Sequence, residues 1–98
     1  MIIKVYDFVQ NDTAVSYDDG KKCYDEIIKV IDKEKVVIDF KDIKFVITAF
    51  LNPLIGDLIL QKGKEIMGKI SIMNANDNII DKIRIVKDGA LLKREDME

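Results

Sequence analysis

Histidine and tryptophan are absent from this 98-residue sequence, and cysteine and proline occur once each, at Cys23 and Pro53. Without histidine the chain lacks the commonest general base and the commonest metal ligand. A single thiol forms no disulfide framework, and it cannot supply a zinc site. That cysteine usage leads us to expect a reducing, cytoplasmic location. No apolar run reaches the length of a membrane span, and no signal-peptide core opens the sequence. No glycine-rich phosphate loop follows any candidate strand. We therefore expect no metal, no cofactor and no membrane partner.

A basic face is missing too. Sixteen Lys and Arg residues stand against eighteen Asp and Glu, a net charge of -2, with both signs interspersed. This argues against a binder of nucleic-acid backbones. The 48% of hydrophobic and 35% of charged residues are a globular composition. Residues 1–98 are expected to form one domain with its own core.

The pattern alternates strands and helices. Ile2–Val9 is predicted as a strand with one partly wet face. Ser16 is the predicted N-cap of a first helix, with Asp18 and Asp19 where the helix dipole favours anions. Cys23, Ile27, Val30 and Ile31 form its buried stripe. Gly20, one turn earlier, suggests close approach to the sheet. Val36–Ile38 has no alternation and so is predicted as a strand covered on both faces. Phe45–Ile47 is a second short run, and Lys69–Met73 a third strand. Asn74 or Asn76 then caps a last helix with Ile79, Ile80, Ile83 and Val86 in its core stripe. Strands separated by helices imply parallel neighbours. The expected fold is α/β, β-α-β-α-β-α, with a mixed or mostly parallel sheet. The two later helices could share one face of that sheet or be split between its faces.

The stretch 35–63 organises the chain. Asp39 closes the central strand. Acids at such strand ends often face a site crevice, but the simpler role is to accept N–H bonds from the following loop. The next helix starts either at Thr48 or at Asn52, where Pro53 would take the first helical position. A start at Thr48 needs packing of Phe50 and Leu51 and an irregular first turn. Leu51, Leu54, Ile55, Leu58 and Ile59 form its core stripe. The opposite side carries Pro53, Gly56 and Leu60, with Phe50 and Asp57 at one flank. So little charge on an outer face suggests a partner surface. Asp39, Asp42 and Asp57 are the acids near the crevice, and no nucleophile with an adjacent base accompanies them. No catalytic residue is assigned.

From Val36 to Leu58 the chain resembles the STAS-like domains, above all their short bacterial family of unknown function. The residues that carry the likeness are VVIDF at 36–40, Asp42-Ile43, Ile47-Thr48-Ala49-Phe50 and Leu54-Ile55-Gly56. Related domains include the anti-sigma-factor antagonists, in which a serine capping this helix is phosphorylated by a partner kinase. The equivalent position here is Thr48, but the antagonist motif Asp-Ser-Ser-Gly is replaced by Ile47-Thr48-Ala49-Phe50. The resemblance implies a STAS-like fold and a protein partner, a histidine-kinase-type ATPase. We therefore expect a non-enzymatic interaction module that docks through Thr48, Phe50, Pro53, Gly56, Asp57 and Leu60. Alternatives are a phosphoswitch at Thr48, a small nucleotide-binding protein, and a homodimer joined through the same helix or an edge strand such as Ile2–Val9.

Overall fold

A computed structural model describes residues 1–97, with side chains through Arg94. At its centre lies β3 (Val36–Asp39), flanked by β1 (Ile2–Lys4) and β5 (Ile70–Met73) in a parallel sheet of order β1-β3-β5. Ile3 pairs with Ile38, and Ile38 with Ile72. A separate parallel pair joins β2 (Thr13–Ala14) to β4 (Phe45–Val46). The α/β expectation holds, and every strand pair is parallel.

The strand predicted over Ile2–Val9 is shorter than expected. Only β1 is extended, and α1 (Val5–Val9) follows as one helical turn closed by Gln10 at φ 51°. Val5, Phe8 and Val9 are spaced for a helix face as well as for a strand, and that face packs inward. Next comes α2 (Tyr17–Ile28), where Ser16 Oγ accepts the Asp19 N–H at 3.3 Å as the cap requires.

The helix after β4 starts at Thr48. Its N-cap is Ile47 and no side chain caps it. The central helix, 48–62, then runs as α3 (Thr48–Leu51), a π-helical turn (Asn52–Gly56) and α4 (Asp57–Lys62). Pro53 accounts for the wide turn. It has no N–H to donate, and its ring would press on the Ala49 carbonyl in a regular α-helix. The π turn lets the Asp57 N–H reach back to the Asn52 carbonyl instead. Phe50 and Leu51, fully buried, hold the irregular start in place. A 3-10 segment (Lys64–Lys69) leads into β5. The chain then turns into α5 (Asp77–Met97), which passes through Gly89 without a break. Asn76 is its cap, accepting the Ile79 N–H at 3.0 Å and donating to the Lys44 carbonyl at 2.9 Å.

All the helices lie on one side of the sheet. Ile3, Val36, Ile38 and Ile70 are buried beneath them. On the other face Ile2 is 59% exposed and Met73 42%, Ser71 is exposed and Val37 only half-buried. This corrects the expectation that β3 is covered on both faces. A parallel sheet is normally sandwiched, whereas here one face is left open. Strand order 1-3-5 advances in one direction, so successive crossovers of like hand return on the same side.

Candidate functional site

The central helix is flanked as well as backed. On one flank α2 comes so close that a Cβ on Gly20 would collide with the Phe50 carbonyl oxygen and lie 2.9 Å from Pro53 Cγ. Gly20 therefore admits this helix, where sequence reasoning expected contact with the sheet. Phe50 and Pro53 are consequently buried in the chain's own interior. On the other flank α5 covers Gly56, with Val86 Cγ1 3.6 Å from where a Cβ would sit. Phe50 and Pro53 thus do not form the outward surface expected of them, and Gly56 is buried beneath α5. Helical periodicity locates the core stripe but cannot reveal two further helices at its sides.

What remains open is the groove between the central helix and α5. It has a volume of about 450 Å³. Thr48, Asn52, Asp57 and Leu60 line one wall, and Ile85, Gly89 and Lys93 the other, with Gly56, Val86 and Ala90 also contributing. Thr48, Asp57 and Leu60 are half-buried there and Gly56 is buried, so four of the six expected docking residues meet at one place. Ile85 is 60% exposed. A Cβ on Gly89 would meet no atom within 4 Å, so this residue leaves the groove its width. Sequence reasoning missed the α5 wall. The available signals were Ile85, an apolar residue off the core stripe, and Gly89, a glycine in mid-helix that costs about 1 kcal/mol relative to alanine.

Asp39 lies outside this groove, at the end of β3. It is only 5% exposed. Its Oδ1 accepts from Asn74 Nδ2 at 2.8 Å and from the Lys41 N–H at 2.9 Å. These bonds, the Asn74 one foremost, hold the carboxyl below its ordinary value of 3.8. The acid therefore closes the loop and ties β5 to β3, the simpler of its two expected roles. Asn74 adopts φ 59°, a left-handed conformation that asparagine tolerates.

Other chemistry-bearing groups are committed or remote. Burial pushes the Cys23 thiol up to about 12, with Asp19 adding to the effect, so it stays protonated. Asp32 is held low by Lys62, whose Nζ lies 2.9 Å from its Oδ2. Among the described residues no three His, Cys, Asp or Glu side chains cluster as metal ligands would. No helix among them is long and apolar enough to cross a membrane.

A family model described as a STAS-like domain of unknown function matches residues 19–79. The match runs from the start of α2 to the first turn of α5. It takes in the central helix and leaves the whole α5 wall of the groove outside. No curated protein and no solved structure matches the chain.

Proposed function

Because the chain belongs to the STAS-like domain family of unknown function, we propose that it is a non-enzymatic regulatory module that docks a protein partner in the groove between the central helix and α5. The observation that carries this reading is Ile85, a large apolar side chain left mostly in solvent at the wall of an open groove. Asp57 and Lys93 add a charge of each sign to the lining, the arrangement of an apolar centre with a polar rim. The partner that suits the family likeness is a histidine-kinase-type ATPase. Immobilised protein should recover that partner from extracts of its own cells. Ile85→Glu places a charge in the groove, and Gly89→Leu fills it without touching the core. Both should abolish recovery with circular dichroism unchanged. Recovery that survives both substitutions overturns the reading.

A second reading is favoured by Thr48. It is the first residue of the helix rather than its cap, and it lines the groove. A phosphate on its hydroxyl would add about -1.5 to -2 charges there. It would act as a switch on docking. Intact mass after incubation with the ATPase and ATP tests this, and an unshifted mass in the assembled complex discards it.

A further inference from the structure

We propose that a second copy of this chain pairs with the free edge of β5, antiparallel, joining two sheets into one of six strands. β5 hydrogen-bonds to β3 alone among the described strands. The Phe40 N–H donates to the Met73 carbonyl at 2.9 Å. The polar groups of Met73 and, two residues earlier, Ser71 therefore face β3. Those of Ile72 and the carbonyl of Ile70 face outward. The Ile70 N–H is already used by the Met67 carbonyl. Ile72 thus offers a donor and an acceptor at the rim, and Ile70 a further acceptor.

Natural sheets blunt such edges with charge, proline or a bulge. β1, the opposite edge, ends in the exposed Lys4. β5 reads Ile-Ser-Ile-Met and has none of these devices. Beside it lies a mostly apolar groove lined by Ile72, Asn74, Ala75, Ile80 and Ile83. Ile80 is exposed there.

The charge pattern of α5 identifies the occupant. Asp77, Ile80, Arg84 and Lys87 share one flank of the helix at 100° per residue. Their spacings of three, four and three are the same in either direction. Two copies of α5 lying antiparallel about a two-fold axis near the middle of β5 bring Asp77 of each onto Lys87 of the other. Ile80 then meets the aliphatic stem of Arg84. Arg84 is free to do this, since its contact with Asp81 is long (3.8 Å) and exposed. A surface complementary to itself under a two-fold is what a symmetric dimer requires.

Sedimentation equilibrium at micromolar to hundred-micromolar concentration tests the pairing. The unmodified chain should form a dimer. Ser71→Lys lies on the open sheet face, outside the core, and sets like charges across the axis. It should weaken the dimer roughly tenfold or more. Asp77→Lys and Lys87→Asp should each weaken it, and the double exchange should restore it. A chain that stays monomeric throughout overturns the proposal and leaves the edge to a strand of another protein. A dimer indifferent to Ser71→Lys, or one not restored by the double exchange, overturns it equally.

Discussion

Asp39 shows how a single side chain sets the pH response of the fold. Its carboxyl is depressed in the folded chain and returns to 3.8 on unfolding. The unfolded chain therefore binds more protons in the acid range. The stabilisation is complete above the unfolded value and is lost as pH falls through the folded one. Asp32 acts in the same direction through Lys62. Asp39→Asn keeps an amide oxygen in the place of Oδ1, able to accept from both Asn74 and Lys41, but removes the charge. Urea denaturation from pH 7 to pH 3 should show a shallower loss of stability for the variant than for the parent. Equal slopes would mean that the acid response comes from other carboxylates. The role of this residue was legible in the sequence, because an acid followed by a loop has a local reason to exist. Its bond to Asn74 was not, since the two lie thirty-five positions apart.

At the scale of the element, two glycines in helices have opposite meanings. Gly20 sits where α2 meets the Phe50 carbonyl, so Gly20→Ala must push two helices apart. A cost of about 2–3 kcal/mol is expected, the usual scale of overpacking. Gly89 faces open space. Gly89→Ala should raise stability by up to about 1 kcal/mol through helix propensity alone. Thermal denaturation of the two variants checks both signs at once. The sequence marked each glycine as a cost but could not say which was repaid by packing. The extent of β1 was equally hidden. Over Val5–Val9 the strand and helix periods both fit, and only the tertiary contacts of Val5 decide between them. The start of the central helix was legible only as a choice of two. Pro53 left two starts open, at Thr48 or at Asn52, and the burial of Phe50 and Leu51 decides for an irregular start at Thr48.

For the molecule as a whole, the governing fact is that one side of the sheet carries every helix. Alternate positions of the central strand should then differ in energetic weight. Ile38→Ala removes a fully buried side chain and should cost about 2–5 kcal/mol. Val37→Ala, on the open face, should cost less than about 1 kcal/mol. Chemical denaturation of both variants measures the difference, and similar costs would contradict a one-sided cover. The continuous apolar run Val36–Ile38 concealed this asymmetry, because β-branched residues suit a strand whether or not both faces are covered. The same asymmetry bears on the groove. Two molecules joined along β5 about an axis normal to the sheet keep their helical layers on the same side, so their grooves open in the same direction. A partner that is itself a dimer could fill both in one encounter, the second at a high effective concentration set by the first. Modest affinity at each site would then translate into long residence, and cutting the pair into single molecules would shorten it without altering any contact within either groove.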